Sequence, residues 1–343
     1  MTTRPGEELP TDRLLPYLRE QLPGLDEPLQ VTQFLGGHAN LTYELKFGDR
    51  ELVLRRPPFG TIAPGAHDMR REYHVLSRLH PHFAPAPRAL LLCTDHDILG
   101  ADFVVMERRH GTVIRYRLPE EFAGLPTVEE RLTVALIRVT ADLHRVDAGR
   151  AKLTDLGQPE GFAERQLRGW TKRWQLAKTE ENPAMETLSR ALPRAIPTPQ
   201  AVSIVHGDLK FDNCQFQPGE PDRVTSVFDW DMATLGDPLI DLAGTLSFWP
   251  DPALDPAEMP LPLLEGDWPT KDFLKQQYAS FTGFDLERMP WYEAFACFKT
   301  AVIAQQLYHR YLQGSTRDAR MEKFGLAAKA FARLGVAKLG QAG

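Results

Sequence analysis

The sequence predicts an α+β chain, with antiparallel strands in its N-terminal part and mainly helices in its C-terminal part. Three observations favour this class. Short apolar runs alternate with glycine turns over residues 31–55, which is the pattern of β-hairpins. Apolar residues recur at helical spacing through most of the chain after residue 128. A polar loop at 206–213 lies between two short apolar runs, as expected for a loop that joins two strands.

The bulk composition is that of a globular protein with ample core, and it excludes several classes of protein. The chain has 343 residues and a formal net charge of −6, which favours neither a nucleic-acid binder nor a membrane-surface protein. Residues 1–10 lack an apolar signal core, and no apolar run approaches membrane-spanning length. The three cysteines are widely spaced, which is typical of a reducing compartment. We therefore expect a cytoplasmic protein with no membrane and no nucleic-acid partner.

The N-terminal lobe is predicted to begin with a helix and a three-stranded meander. The helix spans 12–21, and the strands span 31–35, 41–47 and 51–55. The first two strands are joined by Gly36-Gly37-His38-Ala39-Asn40, which on its own is a plain hairpin turn.

A helix over 68–80 is predicted to follow the meander. Its apolar face includes Met69 and Leu76, and Glu72 lies between them on the same face. A carboxylate that points inward needs a partner. An arginine on the same helix is one candidate partner.

The remaining elements follow from the same patterns. An apolar strand at 101–106 enters a polar segment at 107–111, and Asp237 is positioned to cap a helix that begins at Pro238. Further helices are predicted over 128–146, 164–174, 272–281, 291–312 and 321–334.

The loop His206-Gly207-Asp208-Leu209-Lys210-Phe211-Asp212-Asn213 carries the most specific pattern in the chain. Asp208 is followed five residues later by the amide Asn213, and a second carboxylate, Asp229, follows one short hairpin downstream. Transfer of a phosphoryl group from a nucleotide needs one Asp to orient and deprotonate the accepting hydroxyl. It also needs an Asn and an Asp to hold Mg²⁺. The spacing alone is weak, since Asp and Asn are common turn residues, but the flanking strands strengthen it.

The spacing HxDxxxxN resembles the catalytic loop of protein kinases. Gly207 replaces the Arg of that form, and His-Gly-Asp is similar to the aminoglycoside phosphotransferase and choline kinase group, which shares the kinase-like fold. The resemblance implies a bilobal protein-kinase-like fold. The N-terminal lobe would span 1–106, a hinge 107–111, and a C-terminal lobe 112–343 with the catalytic loop, the metal site and the acceptor site.

The resemblance also implies cofactors and roles. ATP and Mg²⁺ are the expected cofactors, although GTP in place of ATP stays open. Asp208 and Lys210 are the expected catalytic residues. Asn213 and Asp229 are the expected metal ligands, and Asp231 is a lesser candidate. The motif Leu143-His144-Arg145-Val146-Asp147 resembles the end of the corresponding helix in aminoglycoside phosphotransferases, so His144 is expected to be structural, as is a buried Asp241 that holds the catalytic loop.

The nucleotide site is expected in the N-terminal lobe. In protein kinases a lysine on the third strand follows an apolar residue two positions earlier, and Val53 and Arg55 fit that spacing on one face of the strand. Arg55 would bind phosphate and pair with Glu72, and the alternative is a surface arginine at a strand end. The residues that would contact ATP are Gly37, His38, Ala39, Asn40, Val53, Arg55, Glu72, Glu107 and Arg109.

Three segments resemble the kinase-like N-terminal region of acyl-CoA dehydrogenase family members ten and eleven: residues 36–43, 54–58 and 229–238. Asp-Trp-Asp at 229–231 departs from the Asp-Trp-Glu usual there. The resemblance implies phosphorylation of the hydroxyl of a hydroxyacyl-CoA, notably 4-hydroxyacyl-CoA. The chain is expected to be a stand-alone version whose product passes to a separate acyl-CoA dehydrogenase.

A basic stripe on the helix at 164–174 agrees with an acyl-CoA acceptor. Arg165, Arg168 and Lys172 fall at three- and four-residue steps and suit the phosphates of coenzyme A, whereas an aminoglycoside needs an acidic pocket. A solvated charged face is the alternative. Three other functions are alternatives: a choline or aminoglycoside kinase, a catalytically dead nucleotide-binding protein, and a protein kinase. The last is disfavoured by the lack of Asp-Phe-Gly and Ala-Pro-Glu motifs.

Overall fold

The computed structural model of the protein describes residues 3–35, 40–58, 67–260, 264–314 and 318–341. Contacts between α-carbons divide the chain into two compact units. The first unit comprises Met1–Gly111, Gly149–Leu153 and Thr225–Ala233. The second unit comprises Thr112–Ala148, Thr154–Val224 and Thr234–Gly343.

The first unit is built on a five-stranded antiparallel sheet with three helices. In chain order its elements are α1 (Thr11–Gln21), β1 (Leu29–Gln33), β2 (Leu41–Phe47), β3 (Arg50–Arg56), α2 (Met69–Leu79), β4 (Ala89–Cys93), α3 (His96–Leu99) and β5 (Phe103–Glu107). The strand order is β1-β2-β3-β5-β4. The register of β3 sets Arg55 opposite Thr42 on one side and Val104 on the other.

Side-chain alternation explains how this sheet forms a core. Along β2 the buried positions alternate with half-buried ones, as expected of a strand with one face on the core. Asp68 caps α2 by accepting a hydrogen bond from the backbone amide of Arg71, at 3.0 Å. The buried face of α2 includes Leu76 and, as the sequence predicts, Glu72, which is fully buried.

The second unit is mainly helical. In chain order its elements are α4 (Val128–His144), α5 (Phe162–Ala177), α6 (Pro183–Ala191), β6 (Ser203–Val205), β7 (Cys214–Gln217), β8 (Glu220–Val227), β9 (Thr234–Gly236), α7 (Pro238–Ser247), α8 (Lys271–Thr282), α9 (Met289–Leu312) and α10 (Phe324–Leu339). The end of β8 belongs to the first unit. β6 pairs with β9, and β7 pairs with β8. These short strand pairs flank the predicted catalytic loop and fix both of its ends.

The observed elements confirm the predicted α+β class, with differences at their ends. Asp237 caps α7 as predicted, accepting from the amide of Leu239 at 3.0 Å. The prediction for α10 was three residues early at its start, because Asp318 caps a separate 3₁₀ turn over Ala319–Lys323. The predicted strand 31–35 ends at Gln33.

All three cysteines are free and buried. Cys93 lies in the first unit, and Cys214 and Cys297 lie in the second. Burial raises the pKa of the Cys214 thiol, and it raises the pKa of Cys297 to about 12. Within the part of the chain that the structure describes, no helix is both long and apolar enough to cross a membrane.

Candidate active site

The loop between β6 and β7 gathers two polar side chains around one carboxylate, that of Asp208. The Lys210 ammonium donates to both oxygens of Asp208, at 2.9 Å and 2.8 Å. Asn213 Nδ2 donates to the same carboxylate at 3.0 Å and to the Asp208 carbonyl at 2.7 Å. The structure thus brings together Asp208, Lys210 and Asn213. The amide oxygen of Asn213, on the other side of its Cγ from Nδ2, is left as a hard ligand atom.

A buried carboxylate holds the backbone of this loop. Asp241 accepts hydrogen bonds from the amides of His206 and Gly207, both at 2.7 Å. Burial alone would raise the pKa of Asp241, but the hydrogen bonds from His144 and the His206 amide hold it below its ordinary value. The structural role predicted for Asp241 is therefore present. Gly207 has φ of 86°, a left-handed conformation that glycine adopts without a Cβ penalty.

A second layer of polar groups supports Asp241. His144 contacts Asp241 through Nε2 at 3.1 Å and the Tyr278 hydroxyl through Nδ1 at 2.7 Å, and all three side chains are buried. The Thr245 hydroxyl donates to the carbonyl of Leu209 at 2.8 Å. These contacts tie the loop to α4, α7 and α8, so the Asp208 carboxylate is held by a rigid scaffold.

In the first unit Arg55 pairs with two carboxylates. Its Nη1 contacts Glu72 Oε1, and its Nη2 lies 2.8 Å from Asp229 Oδ1. The pairing of Arg55 with Glu72 matches the expectation from strand parity, whereas the contact with Asp229 was not foreseen. Asp229 has φ of 68°, a left-handed conformation that Asp tolerates better than most residues.

The pKa values in the cluster of Arg55, Glu72 and Asp229 reflect one cation that is shared by two carboxylates. Burial would lower the pKa of Arg55, but Glu72 and Asp229 outweigh it and raise the pKa, so the guanidinium stays charged. Burial raises the pKa of Glu72 to about 7, against the opposing effect of Arg55 and with a further rise from Asp229. The Glu72 carboxyl therefore holds its proton to a higher pH than an ordinary glutamate does.

Other predicted nucleotide residues lie in the same unit. Gly37, His38 and Ala39 fall outside the described residues. Asn40 is buried, its Oδ1 contacts His67 Nδ1 at 2.8 Å, and its Nδ2 has no hydrogen-bond partner in the part of the chain described. Val53 is half-buried on the same strand as Arg55.

The predicted hinge residues contact each other. The Glu107 carboxylate accepts from Arg109 Nε at 2.7 Å and from the Arg88 amide at 2.8 Å. The Glu107 amide donates to the Arg88 carbonyl at 3.0 Å. That amide is therefore occupied, and any contact of residues 107–109 with a base would have to use other backbone groups.

The three residues of the predicted basic stripe on α5 do not share one environment. The Arg165 guanidinium donates to the backbone carbonyls of Gln158 and Glu160, so it is used at the start of the helix. Arg168 and Lys172 are exposed.

Sequence reasoning missed two cations that lie nearer the catalytic loop. Arg173 stacks over the Trp170 indole, with Cζ 4.3 Å from the ring centroid. Lys299 on α9 donates from Nζ to the Gly207 carbonyl at 3.2 Å. The sequence pattern that could have revealed Lys299 is a single lysine within an apolar stretch of a long predicted helix.

Carboxylate and amide oxygens are the ligands that Mg²⁺ prefers, and the two predicted ligands, Asp229 in the first unit and Asn213 in the second, offer one of each type. The contact of Asn213 with Asp208 uses the nitrogen of its amide, Nδ2. Among the described residues no group of three His, Cys, Asp or Glu side chains is arranged to hold a metal ion. Mg²⁺ in nucleotide sites does not require one, since phosphates and water complete its shell.

A five-stranded sheet bearing an Arg–Glu pair, and a helical unit bearing an Asp–Lys–Asn loop, are the parts of a kinase-like phosphotransferase. Residues 30–273 match the family model described as the phosphotransferase enzyme family, and the chain belongs to this family. The family assignment confirms the predicted enzyme class.

Two curated relatives confirm the predicted resemblance. The chain is 33% identical over 346 residues to acyl-CoA dehydrogenase family member 10 of Mus musculus, covering 97% of this chain and 32% of the relative. It is 34% identical over 317 residues to acyl-CoA dehydrogenase family member 11 of Rattus norvegicus, covering 87% of this chain and 39% of the relative. The chain therefore spans well under half the length of these relatives.

A solved structure confirms the fold. A putative aminoglycoside phosphotransferase from Ralstonia eutropha JMP134 superposes with a TM-score of 0.80 at 31% identity, covering 97% of this chain and 99% of that one. The predicted protein-kinase-like fold is thus observed.

Proposed function

We propose that the chain is an ATP- and Mg²⁺-dependent small-molecule kinase that phosphorylates the hydroxyl of a hydroxyacyl-CoA, such as 4-hydroxyacyl-CoA. The observation that carries the proposal is the Asp208 carboxylate, which Lys210 and Asn213 contact and which Asp241 supports through the loop backbone. Asp208 orients the acceptor hydroxyl and takes its proton, and Lys210 stabilises charge on the transferred phosphoryl group. Such an enzyme would work in the cytoplasm.

The proposed cofactor roles follow the same chemistry. Mg²⁺, held by Asn213 and Asp229, would neutralise charge on the triphosphate of ATP. Arg55, ordered by Glu72, would bind phosphate oxygens. The turn at 37–40 would contact the phosphates, and Val53 with the backbone near 107–109 would contact the base.

The names of two relatives support the proposed acceptor. Two of them are named acyl-CoA dehydrogenase family members, and each is far longer than this chain. Phosphorylation converts a hydroxyl into a good leaving group, which suits a product passed on to an acyl-CoA dehydrogenase. Arg168 and Lys172 are exposed cations that could bind the phosphates of coenzyme A. Arg165 is less available for this contact because its guanidinium already donates to the backbone carbonyl of Glu160.

A second candidate acceptor is an aminoglycoside, because the solved neighbour at 31% identity is named a putative aminoglycoside phosphotransferase. An aminoglycoside or choline is cationic, and Arg173, Lys299 and Lys210 all lie in the unit that holds Asp208. Like charges disfavour such acceptors. A catalytically dead protein is disfavoured by the retention of Asp208, Asn213 and Asp229 together.

The test is an ADP-release assay with a panel of 4-hydroxyacyl-CoAs, choline and kanamycin. We expect ADP release with the hydroxyacyl-CoAs, and mass spectrometry should locate the phosphate on the hydroxyl oxygen. Phosphorylation of choline or kanamycin without the hydroxyacyl-CoAs would refute the acceptor and leave the kinase activity in place.

The role of the exposed cations has its own test. Charge reversal, Arg168→Glu, should raise the KM for the acyl-CoA and leave ATP affinity unchanged, and wild-type activity should fall with rising salt because screening weakens exposed charge contacts. The matched control is Arg320→Glu, since Arg320 is an exposed arginine that pairs with the nearby Asp318. An equal effect of both variants would contradict a specific role for Arg168.

A further inference from the structure

Lys299 is a cation that lacks a matching anion. Its side chain is half-buried on α9, and its ammonium donates to the neutral carbonyl of Gly207 at 3.2 Å. Among the described residues it forms no ion pair with a carboxylate. An ammonium has three donors, and a cation removed from water is normally paired. Lys299 therefore has unused capacity to donate to a bound molecule.

The unused hydrogen-bond donors of Lys299 lie next to the catalytic loop. Its Nζ lies 5.7 Å from the centroid of the Trp170 indole, and Arg173 covers the same ring at 4.3 Å. Burial lowers the pKa of Lys299, and Lys210 and Arg173 lower it further, although Asp208 and Asp241 oppose this. Lys299 and Arg173 thus place two cationic groups against the Trp170 ring, and an electron-rich ligand atom could accept a hydrogen bond from the Lys299 ammonium.

Gly207 fixes how near Lys299 comes to the reacting centre. The Gly207 carbonyl faces Lys299, and the next residue is Asp208, whose α-carbon lies about 3.8 Å further along the chain. Lys299 therefore contacts the backbone of the residue directly before Asp208, so one short ligand could reach both side chains. In a 4-hydroxyacyl group only three carbon–carbon bonds of about 1.5 Å separate the carbinol from the acyl carbon. The phosphates of coenzyme A lie a whole pantetheine arm farther away.

We infer that Lys299 is a specificity-determining residue that donates a hydrogen bond to the acyl oxygen of the acceptor, either a thioester carbonyl or a carboxylate, while Asp208 holds the hydroxyl of the same molecule. The inference rests on the proposed function and adds the group by which the acceptor is selected. Arg173 and Trp170 form the outer wall of this subsite. A cationic acceptor would meet Lys299 at the same place and be repelled.

The test is a thermodynamic cycle in which the Lys299 side chain and the acyl oxygen of the substrate are removed one at a time and together. Wild type and Lys299→Met are assayed with 4-hydroxypentanoyl-CoA and with its thioether analogue, S-(4-hydroxypentyl)-CoA, which lacks only the carbonyl oxygen. Free 4-hydroxypentanoate is the third acceptor and separates a carboxylate from a thioester as the preferred source. Lys299→Met should lower kcat/KM for the thioester about 10- to 100-fold, the range for a charge-assisted hydrogen bond, and change the thioether value little.

Two further variants guard against a merely structural effect. Lys299→Arg keeps the charge and should restore part of the selectivity for the thioester. Lys329→Met is the matched control, because Lys329 is a half-buried α10 lysine that pairs with Glu180 and lies outside the catalytic loop. The affinity for pentanoyl-CoA, measured by calorimetry with a non-hydrolysable ATP analogue bound, should fall in Lys299→Met and not in Lys329→Met.

Each outcome decides between the inference and the proposed function. Equal loss on the thioester and the thioether would make Lys299 structural and overturn the inference, while turnover of the thioester by wild type would leave the proposed function standing. Turnover of choline or kanamycin by wild type, with neither CoA compound phosphorylated, would overturn the proposed acceptor. Dependence on Lys299 with the free acid alone would support the subsite and assign its ligand as a carboxylate.

Discussion

In the cluster of Arg55, Glu72 and Asp229, two alanine substitutions that break the same ion pair should differ in how much they destabilise the fold. Arg55→Ala removes the cation from two carboxylates, of which the Glu72 side chain is 1% exposed and the Asp229 side chain 29% exposed. Glu72→Ala leaves Arg55 with Asp229 as its remaining partner. The first change should therefore cost more than the second, although both remove the same ion pair.

The magnitudes follow from burial. Removing one partner of a buried ion pair costs about 3–5 kcal/mol, because the other charge is left without compensation, and we expect this for Arg55→Ala. Glu72→Ala should cost about 1–3 kcal/mol, since Arg55 keeps a charge-assisted hydrogen bond. The double variant should be less destabilised than the sum by about 1–3 kcal/mol, because the second truncation no longer strands a charge.

The assay is urea unfolding at pH 8, where Glu72 is ionised, together with the KM for ATP. Both single variants should raise the KM for ATP, since both disturb the group proposed to bind phosphate. Arg70→Ala is the matched control: Arg70 is on the same helix as Glu72, is 63% exposed and pairs with Asp102, so its loss should cost about 0–1 kcal/mol. Strict additivity of the Arg55 and Glu72 variants would refute the reasoning.

Three further predictions concern the other charged groups. Asp208→Asn should lower turnover by about two to four orders of magnitude with folding and ATP binding preserved, and near-normal turnover would refute its role as base. Asp229→Ala should abolish the tightening of ATP binding by Mg²⁺ in calorimetry, and so should chelation of the metal in wild type; a variant that still responds to Mg²⁺ would place the ligand elsewhere. The raised pKa of Glu72, about 7 against 4.5, means that the folded chain binds this proton more tightly than the unfolded chain. Its contribution is therefore fully present below pH 4.5 and lost as the pH rises through 7, so the unfolding free energy of wild type relative to Glu72→Gln should fall by about 3 kcal/mol between pH 4.5 and 8. A pH-independent difference would contradict it.

Local patterns in the sequence were enough to predict much of the fold and the catalytic loop. Strand parity located Arg55, and helical spacing put Glu72 on a buried face, because both arguments depend only on periodicity within one element. The cap at Asp237 and the buried Asp241 were also readable, since a carboxylate beside a helix start or among apolar residues needs a backbone partner.

Contacts between elements distant in sequence were not readable in this way. The ion pair between Arg55 and Asp229 joins residues 174 positions apart, and no local pattern encodes that distance. Lys299 approaches Gly207 from a helix 92 positions downstream. The basic stripe on α5 was predicted from the spacing of its cations alone, yet the cation that stacks on Trp170 is Arg173, three residues further along the helix and outside that stripe.

The three buried cysteines allow local opening of the protein to be measured without an added label. A thiol reacts only as an exposed thiolate, so Cys93, Cys214 and Cys297 should be silent towards alkylating reagents until the surrounding structure opens. Because Cys93 belongs to the first unit and the other two to the second, the alkylation rate of each, read by peptide mass, measures the opening of one unit independently. Comparing these rates with and without Mg²⁺ and nucleotide would reveal which unit a bound nucleotide rigidifies, without any label being engineered into the chain.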